Sequence, residues 1–372
     1  MEHAAPRARS FLRWILILLL GAIVGAFFFA WSGAYNVAAS SGHWAIVEWF
    51  LRFGMRNSVE LRAATINPPP LDDQNLIALG AGHFHLGCAY CHGTPGSAGS
   101  RVTDAMLPAP PHLPTSMQPW KDEELFWIVR HGIKYTGMPG WLALERADEV
   151  WAVVAFLKKL PKLDARQYRE LALGHGREPD PEAKLRSPEL SLVSTCAACH
   201  GDRERAPHSN LVPHLHGQSQ DFLVGALREY ARGTRPSGIM QPIAAGLEAD
   251  DMERLANYYA ALPPLPNATA ASDSASHARG MELATKGDET SRVPACISCH
   301  NQDAAATFPS LDGQSAAYMA GQLRLWKAGH NDTTDGGALM APIAKRLSDP
   351  DIEAVSRYFA GRPATSSAAG RP

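Results

Sequence analysis

All six cysteines in these 372 residues fall into three pairs with one local pattern. The segments read Cys88-Ala-Tyr-Cys91-His92, Cys196-Ala-Ala-Cys199-His200 and Cys296-Ile-Ser-Cys299-His300. Two thiols with a two-residue gap on a helical turn match the separation of the vinyl groups of a haem. The adjacent imidazole then falls below the porphyrin, where it can bind iron. C-x-x-C-H is the attachment pattern of covalent haem c, and its use of every cysteine in the chain makes a chance origin untenable. A zinc site would bring two C-x-x-C units together or add a His-x-His pair. Here the pairs start 108 and 100 residues apart, each with its own histidine. A thioredoxin-like C-x-x-C needs a βαβ surround, which these Gly- and Pro-rich surrounds do not offer. No cysteine is left for a structural disulfide.

An iron held by histidine on one side needs a ligand on the other. Met138 in Thr136-Gly-Met-Pro139, Met240 in Gly238-Ile-Met-Gln-Pro242 and Met340 in Ala338-Leu-Met-Ala-Pro342 follow their motifs by 50, 44 and 44 residues. Methionine is usually core filler, but three in register with three haem motifs read as axial ligands. Each is expected in a loop closed by proline, before the last helix of its unit. Met106, Met117, Met252, Met281 and Met319 lack that register. Pro111-His-Leu113, Pro213-His-Leu215 and Pro309-Ser-Leu311 lie between motif and methionine. A proline carbonyl there could accept the second ring N–H of the iron-bound histidine, as such histidines usually require; the alternative is an ordinary turn. Of the other histidines, His83, His85, His131, His214 and His216 lie near the motifs, where contact with a haem carboxylate or iron is the less favoured reading.

The elements that position these residues repeat. An offset of 100 superimposes Cys196 on Cys296, Met240 on Met340 and Tyr258 on Tyr358, with nine identities in 21 positions from 240 and from 340. Leu215-His-Gly-Gln-Ser219 matches Leu311-Asp-Gly-Gln-Ser315 at an offset of 96. Two units are therefore duplicates and the first is a distant relative. Each reads as helical. Val150, Trp151, Val154 and Leu157 form one stripe of a helix from Ala147, stopped by Pro161. Ser348-Asp-Pro-Asp351 opens another with a capping-box pattern. Units of about 80 residues have marginal cores alone, and a covalently held haem adds an apolar plate on which helices pack.

Ahead of them, Arg7, Arg9 and Arg13 precede an uncharged apolar run from Trp14 to Trp31. Its 18 residues suffice to span a bilayer. The charge bias holds the N-terminus in the cytoplasm and sends the body across. A cleaved signal peptide ending at Val37-Ala38-Ala39 is the alternative, although its apolar core would be long. Residues 43–62 read as an amphipathic helix, with Trp44, Val47, Phe50, Leu51 and Met55 recurring at helical spacing. Packing on the first unit is favoured over lying on the membrane.

The expected class is all-α: an N-terminal transmembrane helix, then three small helical domains, the last two in tandem. The boundaries are a basic cytoplasmic end at 1–13, a span at 14–31, a juxtamembrane segment and spacer at 32–70 and a first domain at 71–160. A linker at 161–186, a second domain at 187–262, a linker at 263–276, a third domain at 277–361 and a disordered tail at 362–372 follow. With 35 Lys+Arg against 37 Asp+Glu, the net charge of −2 argues against a nucleic-acid binder.

Assembled, these residues resemble the small-domain, His/Met-ligated c-type cytochromes. From about 187 to 361 the chain resembles the dihaem cytochrome c4 family through Cys196–His200, Gly217-Gln218, Gly313-Gln314, Met240, Met340, Tyr258 and Tyr358. The first half resembles membrane-anchored monohaem cytochromes c through Cys88–Gly93, Phe126-Trp127, Gly137-Met-Pro139 and Trp151. Asn301 departs from the pattern, standing where the other motifs have Gly93 and Gly201. The resemblance implies three covalent haems c, on Cys88 and Cys91, Cys196 and Cys199, and Cys296 and Cys299, with iron ligands His92 and Met138, His200 and Met240, and His300 and Met340. It implies haem domains in the periplasm beside the bacterial inner membrane. It implies single-electron transfer in a respiratory chain, between a quinol-oxidising complex or dehydrogenase and a terminal oxidase or reductase. Two rivals stay open: a cytochrome subunit of a membrane dehydrogenase complex, and a peroxidase-like enzyme with one exchangeable iron site. The first is weakened by the N-terminal anchor and polar tail, the second by the three methionines.

Overall fold

The structure, a computed structural model, describes residues 5–174, 188–265, 274–301 and 305–364. Among these residues there is no strand, and the only extended pairings are the isolated bridges Thr94–Ser97, Asp202–Arg205 and Asp288–Val293. Helix α1, Ala5–Trp31, contains the apolar stretch Ser10–Trp31, whose 22 residues are long and apolar enough to cross a membrane. Helix α2 follows at Ala45–Ala63 and buries Val59 and Ala63 at its C-terminal end.

The first helical unit is built from α3 (Gln74–Gly87), α4 (Asp122–His131), α5 (Ala147–Leu157) and α6 (Ala165–Leu173). Asp73 starts α3 by accepting from the Asn75 N–H at 2.7 Å. The stripe expected on α5 packs inward: Val150, Val154 and Leu157 are buried, and Trp151 stacks on Phe126 at 4.1 Å between centroids. Gly80 lets α3 meet α5 backbone to backbone, since a Cβ there would lie 1.8 Å from the Ala152 carbonyl oxygen.

One boundary moves. The stretch from 161, expected as linker, instead forms a 3₁₀ turn at Leu160–Lys162 and then α6. Asp164 and Gln167 close a capping box on α6, and Tyr168, Ala172 and Leu173 bury against the core that holds Phe84 and Phe156. The first unit thus runs to Leu173. Only residues 161–174 of that linker are described; 175–186 lie outside the described residues, as does 187 at the start of the second domain.

The second unit holds α7 (Pro188–His200), α8 (Gln220–Ala231), α9 (Met240–Ala245) and α10 (Ala249–Ala260). The third holds α11 (Ser274–Thr285), α12 (Ala316–Lys327), α13 (Asp335–Ala344) and α14 (Asp349–Gly361). Ser219 and Ser315 cap α8 and α12 at equivalent positions. Ser348 and Asp351 form the expected capping box on α14. Gly280 repeats the role of Gly80, with a Cβ position 2.3 Å from the Ala354 carbonyl oxygen on α14. Helix α11 begins inside the stretch expected as the second linker, most of which lies outside the described residues, as does the tail from 365.

The duplicates face each other through a pseudo-two-fold contact. Gln218 Nε2 donates to the Ser310 carbonyl at 2.8 Å, and its Oε1 accepts from the Ser310 N–H at 3.0 Å. Gln314 makes the same pair of bonds to His214, both at 2.9 Å. Ser219 donates to the Ala306 carbonyl and Ser315 to that of Asn210. Every residue in one set lies 96 positions from its mate in the other, which is the self-complementary arrangement that a duplicated surface produces.

Candidate haem-binding sites

In the first unit the motif follows directly on α3 and forms a single helical turn, Ala89–His92. In the second it is the end of α7. The third differs: a loop from 286 to 295 separates α11 from a 3₁₀ turn at Cys296–Ser298. Arg279 steadies that loop by bonding Asp288 and Asp351, both at 2.8 Å. Gly93 and Gly201 leave their motifs at φ 70° and 73°. Their Cβ positions would collide with His112 and with the Arg205 carbonyl. Asn301 has no positive φ, so the backbone leaves the third motif by another route, and its side-chain amide donates to the Ile297 carbonyl at 2.8 Å.

The three motif histidines share one arrangement. His92 Nδ1 lies 2.9 Å from the Pro111 carbonyl, His200 Nδ1 3.2 Å from that of Pro213, and His300 Nδ1 3.0 Å from that of Pro309. A carbonyl only accepts, so each Nδ1 carries the proton and each Nε2 presents a lone pair, the tautomer needed to bind iron. Burial holds all three below the usual histidine range, His200 at about 4, and so keeps them neutral. The six thiols are not paired as disulfides. Burial pushes Cys88 and Cys199 up to about 12 and Cys196 and Cys296 to about 11, which holds them as neutral thiols.

Met138, Met240 and Met340 are all half-buried. Met138 lies in the expected loop, its N–H bonded to Thr136 Oγ1 at 3.1 Å. The other two correct the expectation. Met240 is the first residue of α9, and Met340 lies within α13, which accommodates Pro342 inside it. Thr334 caps α13 through the Gly337 N–H at 2.8 Å, and this cap starts the helix well ahead of the methionine. Of the methionines out of register, Met252 and Met319 are buried core residues, Met117 packs against the first core and Met281 is exposed. Met106 sits against the Met138 turn, its Cε filling the space beside Gly137.

One element of the second site comes from the first unit, and no spacing or motif points to it. Glu149 on α5 is buried and gathers four donors. Its Oε1 accepts from Arg146 at 2.9 Å and Ser237 Oγ at 2.7 Å; its Oε2 accepts from the Gly238 N–H at 2.7 Å and Trp141 Nε1 at 3.0 Å. Ser237 Oγ in turn accepts from the Met240 N–H at 3.0 Å. Burial holds the Glu149 carboxyl above the usual carboxylate range, against the opposing pull of Arg146 and of its hydrogen-bond donors. Arg146 also reaches the Pro236 carbonyl at 2.9 Å. Across the same junction, His208 bonds the carbonyls of Ala78 and Cys199, at 3.0 and 3.2 Å. Ser209 donates to the Asn75 carbonyl at 2.8 Å.

The remaining histidines divide. His85 bonds the Tyr168 hydroxyl at 3.0 Å, His131 is exposed beside Trp127, and His214 bonds the Gly313 carbonyl at 3.0 Å. His83 and His216 are buried, each with an Nδ1 that has no partner. Arg130 Nε and Trp326 Nε1 are likewise buried and unpartnered. Arg130, His216 and Trp326 thus give each helical unit a buried polar nitrogen that the protein leaves unsatisfied, which is costly unless something completes it. A haem brings two carboxylates as well as iron and vinyl groups. The residues present fit that group: paired thiols, a neutral imidazole with its Nε2 free to coordinate, a half-buried thioether, and buried nitrogens lacking partners.

Comparison with known proteins agrees. Residues 75–157 match the family profile described as cytochrome c oxidase, cbb3-type, subunit III. The chain is 35% identical over 174 residues to the thiosulfate dehydrogenase electron acceptor of Thiomonas intermedia, covering 46% of this chain and 80% of that protein. It is 33% identical over 187 residues to cytochrome c4 of Stutzerimonas stutzeri, covering 45% and 85%. The chain belongs to the c-type cytochromes. Among solved structures, reduced cytochrome c4 from Pseudomonas stutzeri matches at 30% identity over 46% of this cytochrome and 95% of that chain, with a TM-score of 0.41. Haem c is thus the cofactor, and the cytochrome is a homologue of the dihaem c4 proteins that carries a further C-x-x-C-H unit in front.

Proposed function

We propose that this cytochrome is a membrane-anchored, trihaem electron carrier on the periplasmic side of a bacterial inner membrane. It takes single electrons from a quinol-oxidising complex or dehydrogenase and delivers them to a terminal oxidase or reductase. Haem c supplies a one-electron ferrous/ferric couple. The cysteine pairs would hold the haems, and His92 with Met138, His200 with Met240, and His300 with Met340 would ligate their irons. Thioether ligation opposite histidine raises the potential relative to two histidines. With both ligands drawn from the chain, no iron would be open to a substrate, which favours transfer over catalysis. The observation that carries the reading is the threefold recurrence of a histidine fixed through Nδ1 by a proline carbonyl, with a half-buried methionine in register. The hydrogen bonds that join unit one to unit two, and unit two to unit three, favour a continuous path over three independent carriers.

The relatives named as electron acceptors of thiosulfate dehydrogenase support a dehydrogenase as the donor, and the oxidase-subunit profile supports an oxidase as the acceptor. A second reading, a dedicated cytochrome subunit of a dehydrogenase complex, is favoured by the same relatives. Stable co-purification with a catalytic subunit would select it. Replacing Met138, Met240 or Met340 singly by alanine is expected to remove about a third of the methionine–iron charge-transfer absorbance, as three equivalent ligands require. A band that survives all three replacements, or full binding of carbon monoxide by the native reduced protein, would overturn the ligand assignment.

A further inference from the structure

We infer that the outward face of α2 lies in the lipid interface, so that this helix forms a second membrane contact beside the N-terminal span. The inference rests on the reading of α1 as an anchor.

Helix α2 carries two apolar stripes. The inner one contains Met55, Val59 and Ala63, spaced by fours. Val59 and Ala63 are buried where α2 meets α4, and Arg56 secures the same side by lying over Trp120 at 4.6 Å. The outer stripe is Ile46, Trp49, Phe50 and Phe53, at i, i+3, i+4 and i+7 of one helical face. These four are 66, 59, 63 and 54% exposed. Trp49 and Phe53 stack on each other at 5.6 Å between centroids, which makes the patch continuous. The stripe ends there, because the next positions on that face are Asn57 and Glu60. Burying each such side chain is worth roughly 1.5–3 kcal/mol, so water is a poor neighbour for the stripe.

Contacts with the span say what covers it. Trp44, at the head of α2, lies 6.1 Å from the ring of Phe29 in α1 and edge-on to Tyr35 at 5.2 Å. The Tyr35 hydroxyl bonds His43 Nδ1 at 2.6 Å. The head of α2 is therefore fastened to the outer end of the apolar helix, and its exposed stripe begins at that depth. Tryptophan and phenylalanine on one face, with Arg52, Arg56 and Arg62 on the others, is the composition of helices that lie along the headgroup boundary. The occupant is a bilayer surface containing anionic phospholipid. The sequence alone favoured core packing for α2; the structure assigns that role to its C-terminal half and leaves the N-terminal half for lipid.

The test uses the full-length holoprotein in vesicles of phosphatidylethanolamine and phosphatidylglycerol that carry a trace of phospholipid with a diazirine near the headgroup. After photolysis, mass spectrometry of proteolytic peptides locates the adducts. Adducts on residues 46–53 are expected, and they should be lost in a Trp49→Glu, Phe53→Glu double variant that keeps the wild-type haem spectrum. Labelling of the α1 peptide alone would overturn this inference while leaving the anchor intact. Labelling of neither would overturn both. Undiminished labelling of the double variant, or a cross-link joining two copies through this stripe, would also overturn it.

Discussion

At the scale of single residues, a hydrogen-bond relay crosses from one helical unit to the next. Glu149 holds Ser237, and Ser237 holds the Met240 backbone. Replacing Glu149 with alanine removes one of the two carboxylates that face the buried Arg146, leaving its paired bonds to Asp148 at 2.8 and 2.9 Å, and frees the turn ahead of Met240. The expected loss of stability is about 1–3 kcal/mol, because Arg146 keeps Asp148 while Ser237, Gly238 and Trp141 lose their buried acceptor. The Met240 share of the charge-transfer band should weaken while those of Met138 and Met340 persist; equal effects on all three would contradict the relay. His83 gives a pH test. Burial lowers it to about 3, with Arg146 and His208 adding to the effect and Asp148 opposing it. The unfolded chain takes up a proton near the ordinary value of about 6.5, while the folded chain resists until about 3. Folding stability therefore rises with pH across that window and falls as the solution is acidified through it. A His83→Phe variant should lose less stability between about pH 7 and about pH 4 than the parent, by denaturant midpoint; equal losses would exclude His83 as the source.

At the scale of elements, the helical turns that carry the cysteine pairs and the helix from Ala147 were legible because local pattern determines them. The proline carbonyl bonds could also be read from the repeated Pro-x-Leu. Helix α6 was not legible, since Arg166, Arg169 and Glu170 mask the apolar face of Tyr168, Ala172 and Leu173, and only contact with Phe84 and Phe156 reveals it. The helical settings of Met240 and Met340 were missed because proline read as a breaker, whereas Pro342 is tolerated inside α13. Glu149 looked like an ordinary acidic residue in the first turn of a helix; no spacing rule links it to Ser237, 88 positions away. The close crossing of α3 and α5 makes a further prediction. Gly80→Ala places a methyl group 1.8 Å from the Ala152 oxygen and should cost about 3 kcal/mol or force the helices apart. Gly54→Ala on α2 meets nothing within 4 Å and should stabilise by up to about 1 kcal/mol. Thermal unfolding of the two variants checks the contrast, and similar shifts would contradict the crossing.

For the whole molecule, the near-neutral charge of −2 averages a basic N-terminal end with the rest of the chain, so it does not describe the faces that meet redox partners. What organises the molecule is repetition. Two duplicates meet through Gln218 and Gln314 about a pseudo-dyad, and the first unit joins them through Glu149, Arg146 and His208. The relatives that match the c4 pattern are dihaem proteins, so the count of three is the central claim. A pyridine haemochrome assay on the purified protein, with protein quantified by amino-acid analysis, measures it directly. The account predicts three haems c per chain, and a value of two or fewer would contradict it.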